Sequence, residues 1–370
     1  MTSMGKRLES LDILRGADLF FLLVIGPVVK ALEKVLEGGD AFFRQFHHVN
    51  WEGFVAWDII MPLFLFMTGI TIPFSMARYK EGVKPDRKFY LKLLKRFCLL
   101  FFLGWIVQGN LLEFSWKLFH PFANTLQAIA VGYVVTALLF VYLKPKWQIV
   151  SLVLLFAAYW LVFAIFGGMN LDPEGNIAMV IDRAVLGSHR DGVIWAADGT
   201  WRFNGNYQYT WILSSLNFAV TVLLGCMAGQ ILKCERITPA RRACWVAVAG
   251  IGLVLAGLAI SPLFPIIKKI WSSSMTLYSG GICFLLTALT YFLVDVKGWK
   301  KGLGFLKWFG MNSIAAYCIG EVINFRSVSE SLLHGFGAWA GYPILIAIGN
   351  TAILTLILML MYKRKVFLKV

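Results

Sequence analysis

Apolar stretches about as long as a bilayer is thick recur some ten times along this chain, and no other feature restricts its fold as severely. They lie near residues 11–31, 54–76, 96–112, 122–143, 147–167, 210–232, 243–263, 271–294, 303–323 and 341–362. A hydrocarbon core of about 30 Å takes roughly 20 apolar residues in a helix, and helices satisfy their backbone polar groups without water. The expected fold is therefore all-α, a polytopic membrane protein with about ten transmembrane helices. Composition agrees, since 59% of the 370 residues are hydrophobic and only 15% are charged. The connections are short apart from the one between Gly168 and Tyr209, so a single membrane domain over residues 1–370 is expected. Lys6 and Arg7 precede a segment that holds Asp12, Arg15 and Asp18 and lacks a small-residue cleavage site, which reads as a retained first span.

The formal charge of +15 is informative through its placement. Lys and Arg concentrate in residues 78–96, 233–242, 297–307 and beyond 362, alternate connections that share one side of a ten-span chain. The positive-inside rule puts that side, with both termini, in the cytoplasm. Such a face meets anionic membrane lipid or a polyanionic cytoplasmic ligand, and nucleic acid is not an expected partner. The six cysteines fall in spans or cytoplasmic connections and form no CxxC pair. No P-loop, HExxH, GxSxG or EF-hand pattern occurs, so neither a metal site nor nucleotide hydrolysis is expected.

Ionisable groups inside spans are costly and mark candidate sites. In the first span Asp12, Arg15 and Asp18 recur every three residues and share a helix face, as an internal ion-pair ladder or as part of a ligand site. The stretch "FHHVNWEGFVAWDIIMPLFLFMTG" sets His47 and His48 at the outer threshold of the second span and Asp58 about two turns inside it. Pro62 cannot donate to the Asp58 carbonyl, so a kink and a polar pocket are expected there. A histidine oriented by a carboxylate is a general base with a fixed tautomer, or a nucleophile held ready. An interfacial histidine beside Trp51 and Trp57 also fits a solvated anchor. His120, His189 and His334, without an acid partner in sequence, read as surface residues. Glu321, near the outer end of the ninth span, falls on the same side as His48.

Five stretches, in order, resemble the transmembrane acyltransferases, the group that contains heparan-alpha-glucosaminide N-acetyltransferase and its bacterial relatives. They are "RLESLDILRGADL", "HVNWEGFVAWDIIMPLFLFMTG", "NTLQAIAVGYVV", "GMNSIAAYCIGEV" and "YKRKVFLKV", and they cover nearly the whole chain. The resemblance implies transfer of an acetyl group from cytosolic acetyl-CoA to an amino sugar across the membrane. It matches His48, and not His47, to the catalytic histidine of an H-x-x-W-x-G pattern completed by Trp51 and Gly53, and Asp58 to the acid of D-x-x-x-P. Asp12, Arg15 and Gly16 match D-x-x-R-G, and Asn312, Ser313 and Glu321 match the ninth-span motif. Three departures stand out. Gly26 occupies a place where the group often has asparagine, Ala128 follows Gln127 where it often has arginine, and the segment between span one and His48 is longer.

On this footing His48 and Asp58 are the expected catalytic pair, with Trp51, Asn312, Ser313 and Glu321 as candidates for the substrate and the oxyanion. Asp12, Arg15, Gln127, Arg87, Lys88, Lys95 and Arg96 are candidates for acetyl-CoA, whose phosphates suit a basic face. The resemblance extends to a homodimer and to a bacterial cytoplasmic membrane. A secondary transporter for sugars or amino sugars, with Asp18, Asp58 and Glu321 as proton or substrate sites, is the alternative reading of the same charges.

Overall fold

The computed structural model describes residues 8–109, 111–113, 115–203 and 207–368. Among the described residues the regular structure is helical apart from a small hairpin in the long connection, and seven helices are long and apolar enough to cross a membrane. Helices Pro145–Phe166, Pro239–Ile260 and Tyr342–Lys363 bury few of their apolar side chains in the protein, whereas Ser214–Lys233 and Ala56–Ser75 bury most of theirs. An apolar surface on that scale is a lipid surface. The protein is thus an all-α polytopic membrane protein. Helices stand at the other three apolar stretches as well, but those are interrupted, more charged or shorter: Glu9–Glu33 contains a π-helical turn, Arg87–Gln108 opens on basic residues, and residues 303–323 break at Met311 and Asn312.

Contacts divide the chain into two compact units, the first comprising Met1–Val49, Val55–Ile60 and Leu286–Val370 and the second Asn50–Phe54 and Met61–Leu285. In the first unit the helix Glu9–Phe20 continues through a π-helical segment, Phe21–Ile25, into Gly26–Glu33. Its first N–H groups lack intrahelical acceptors, and the Ser10 N–H donates to the Asp295 carboxylate at 3.2 Å. Lys307 and Lys300 reach Glu9 at 2.7 and 3.0 Å, and these two ammonium groups hold its carboxyl below the usual carboxylate range. The short helix Leu306–Gly310 lies so close to the first helix that a Cβ on Gly16 would come within 1.8 Å of the Leu306 carbonyl oxygen. One on Gly310 would come equally near that of Asp12. Ile13, Val294 and Leu306 form the buried core at this end.

In the second unit the buried helices Thr125–Tyr142 and Ser214–Lys233 pack on each other. Gly225 and Gly229 meet the Phe66 and Ile70 carbonyls, the small-residue spacing that lets membrane helices approach closely.

The connection between Gly168 and Tyr209 folds over helix Ile177–Leu186 and an antiparallel pair, Val193–Trp195 with Trp201–Phe203. Buried Asp182 ties it down by accepting from the N–H groups of Trp211 and Ile212 at 2.8 and 2.9 Å. Burial pushes this carboxyl up to about 6, against those donors and the nearby Arg190 guanidinium. An unfolded aspartate titrates near 4, so the fold holds the proton more tightly than the unfolded chain between about pH 4 and 6. That contribution is complete below about pH 4 and is lost as the pH rises through 6, for about 3 kcal/mol in total. The thermal midpoint of the protein in detergent is expected to fall across this window. Asp182→Asn should flatten the slope; an identical pH profile in the variant would remove Asp182 as its source.

Candidate functional site

The two adjacent histidines divide between two carboxylates. His47 Nε2 lies 2.7 Å from Glu33 at the solvent-exposed end of the first helix. His48 Nδ1 lies 2.7 Å from Oδ1 of Asp58, whose side chain is 1% exposed while the imidazole is 54% exposed. A carboxylate only accepts, so the Nδ1–H donates to Asp58, and in the neutral ring this leaves the lone pair on Nε2. Asp58 is held in turn, because its Oδ2 accepts the Val55 N–H at 3.2 Å and its own N–H donates to the Val55 carbonyl. The Ala56 N–H donates to Gln45, which closes the loop over the pair.

Asp58 does not lie two turns inside a span. The second helical stretch begins with a single 3-10 turn, Ala56–Ile59, and becomes α-helical at Ile60, so Asp58 caps a helix start. Pro62 falls in the first α-helical turn, where a missing N–H costs little, and no kink is needed to explain the site.

An aromatic wall backs the pair. Phe21, Phe46 and Trp57 pack with ring centroids 5.3 to 6.1 Å apart. The Trp57 indole fills the space that a side chain at Gly26 would need, its nearest ring carbon 2.1 Å from an ideal Cβ there. Lys30, one turn further on, puts its ammonium 4.6 Å from the same ring. Glycine at position 26 is thus what lets the Trp57 ring pack against the first helix. Trp57 and Lys30 were not legible as a pair because 27 residues separate them.

The structure does not bring Asn312, or Ser313 next to it, to the level of His48. Asn312 is fully buried and engaged, donating to the Val366 carbonyl at 3.1 Å and accepting the Leu368 N–H at 3.3 Å. It follows Gly310, which lies against Asp12, whereas Trp57 lies against Gly26. Fourteen residues of helix at 1.5 Å each separate those levels by about 20 Å. The Trp51 indole N–H is likewise occupied, donating to the Leu171 carbonyl at 2.9 Å in the second unit. Gly53 there donates to the Ile266 carbonyl. Glu321 is exposed and has no hydrogen bond or ion pair among the described residues. Its neighbour Gly320 lies against Leu23, about one turn from the Gly26 level.

The acetyl-CoA candidates fall in both units. Asp12 and Arg15 belong to the first, where Asp12 is buried. In the second, Arg87, Lys88 and Lys95 are exposed along the helix Arg87–Gln108, and the Arg96 guanidinium sits 3.9 Å from the centre of the Tyr133 ring. Gln127 accepts the N–H groups of Ala123 and Asn124 at 2.7 and 3.0 Å. Among the described residues its Nε2 and the Arg96 Nε are buried without a hydrogen-bond partner. His120 and His189 are not free surface groups: His120 Nδ1 meets the His189 carbonyl and His189 Nδ1 meets that of Phe119. No group of three or more potential metal ligands occurs among the described residues.

The fold and this site define a class: a polytopic helical membrane protein with a half-exposed imidazole held by a buried carboxylate at a helix start. Within that class the chain resembles heparan-alpha-glucosaminide N-acetyltransferase along its whole length. It is 26% identical to the Mus musculus protein over 427 aligned positions and 25% identical to the Homo sapiens protein over 429. The alignments take in all of this chain and 61% of each relative, so the chain spans less than two thirds of their length. No protein-family profile matches it.

Proposed function

We propose that this protein is a transmembrane acetyltransferase that moves the acetyl group of acetyl-CoA to the amine of an amino sugar, with His48 at the reacting centre. The observation that carries the reading is the pair itself, an accessible imidazole whose Nδ1–H is fixed by buried Asp58 at 2.7 Å. The likeness, along all of this chain, to part of two N-acetyltransferases supports it. A ten-span chain with both termini in the cytoplasm, in a bacterial cytoplasmic membrane, completes the proposal. The basic connections would then hold the acetyl donor's phosphates, and His48 would face the acceptor.

The chemistry asked of the protein is modest, because the thioester supplies the driving force. The amine nitrogen attacks the thioester carbon, the carbon–sulfur bond breaks, and the sulfur leaves as the CoA thiolate. The proton lost by the amine passes to Nε2 of His48, and Asp58 balances the imidazolium that results. In the other order, Nε2 first takes the acetyl group and then yields it to the amine, which gives ping-pong kinetics.

The test is to incubate purified protein in detergent with radiolabelled acetyl-CoA and a panel of amino sugars that begins with glucosamine. Labelled N-acetyl product is the expected result. Absence of product across the panel, with no binding of acetyl-CoA, would overturn the reading in favour of a transporter.

A further inference from the structure

Within the first unit a cavity of about 160 Å³ opens at the helix end that carries Glu33 and His47. Lys30, Lys34, Arg326 and Asn350 supply its polar groups, and Pro27, Ala31, Pro343, Ile346 and Ala347 its apolar wall. Among the described residues no carboxylate comes within ion-pair distance of Lys30 or Lys34, Glu33 acts on Lys30 only at longer range while it binds His47, and Arg326 meets Glu330 through Nε at 2.7 Å. Positive charge therefore exceeds what the protein itself neutralises.

The site has a direction. Gly320 touches both Leu23 and Leu354, so the first helix and Tyr342–Lys363 run antiparallel there, and Lys34 stands level with Pro343 while Pro27 stands level with Asn350. Lys34 stands at the Pro343 end with Lys30 one turn below it, and the wall, apolar except for Asn350, extends about 10 Å along both helices. Next to the mouth, the segment Phe325–Phe336 and the turn after it expose Leu332, Phe336 and Trp339, the apolar and aromatic groups of a membrane interface.

We infer that this cavity binds the phosphate headgroup of an anionic phospholipid, with Lys30, Lys34 and Arg326 on the phosphate and the upper acyl chain against Pro27, Ala31 and Ile346. A soluble anion would be met by the same charges but has no use for an apolar wall that runs into the membrane. Lys30 also faces Trp57, beside Asp58. An occupied site would therefore brace the aromatic wall behind the candidate catalytic pair, and the inference holds whether or not the protein is an acetyltransferase.

The full chain, purified and stripped of lipid in detergent, is titrated with phosphatidylglycerol or phosphatidylcholine while bound lipid is followed by native mass spectrometry and stability by thermal midpoint. One tightly held phosphatidylglycerol per chain and a raised midpoint are expected. Near a membrane surface each basic residue is worth roughly fivefold in affinity, so Lys30→Gln with Arg326→Gln should weaken binding about 25-fold. Lys34→Gln, at an exposed position, should cost about fivefold without touching the fold, and Lys117→Gln, in the second unit, should change nothing. Equal binding of phosphatidylcholine, or full binding by the variants, would overturn the inference. So would a midpoint raised by inorganic phosphate alone with no lipid retained, which would mark a site for a soluble oxyanion.

Discussion

His48→Ala is expected to leave the protein folded and to lower the rate of acetyl transfer by roughly 10²- to 10⁴-fold, the range for loss of a positioned general base. The fold should survive because the imidazole is more than half exposed and Asp58 keeps its bond from the Val55 N–H. Asp58→Asn probes the same unit from behind. Its amide can donate to Nδ1 and so favours the tautomer with the proton on Nε2, where the base is needed. A large fall in rate with near-unchanged KM for both substrates is the expected signature, since the loss falls on the transition state. His47→Ala is the internal control: His47 is held by Glu33, apart from Asp58, so its rate should stay within a few fold of wild type. Activity in His48→Ala above about a tenth of wild type would take His48 out of the reacting centre.

The second large effect is structural. Gly310→Val should abolish folding of the first unit or cost roughly 3 kcal/mol or more, because its Cβ would lie 1.8 Å from the Asp12 carbonyl oxygen. Backbone, unlike the end of a flexible side chain, cannot step aside. The two helices must separate, and buried Asp12 and the core of Ile13 and Leu306 would open with them. Yield of monodisperse protein and its thermal midpoint report the outcome. Gly252→Ala, at a site with nothing within 4 Å, should be silent. A Gly310→Val protein as stable as wild type would mean that this approach contributes nothing to the fold.

How far the sequence was legible depended on distance along the chain. Apolar runs of bilayer length are local, and among the described residues seven of the ten coincide with helices long and apolar enough to span. The pairing of His48 with Asp58 crosses only ten residues and was expected from a histidine set before a buried acid. What escaped was held together over longer spans. Asn312, in a motif that resembles a site, is taken up by a tail 54 residues away, and the Trp51 N–H by a carbonyl 120 residues away. The helix start at Ala56 also escaped, since an apolar run marks a span but not where its first turn closes. Nothing local marks Glu33 and Lys30; their roles come from the loop carrying His47 and Trp57, which folds back onto them.

The π-helical turn at Phe21–Ile25 makes the first helix a two-piece part with a fixed phase. Its upstream piece must aim Gly16 at Leu306, and its downstream piece must aim Gly26 at Trp57 and Glu33 at His47. One residue of α-helix is about 100° of rotation, so the wide turn works as an adjusting washer between the two. Removing a single residue there would restore a uniform helix and swing Gly26, Lys30 and Glu33 away from their partners, although every one of them would still be present in the sequence.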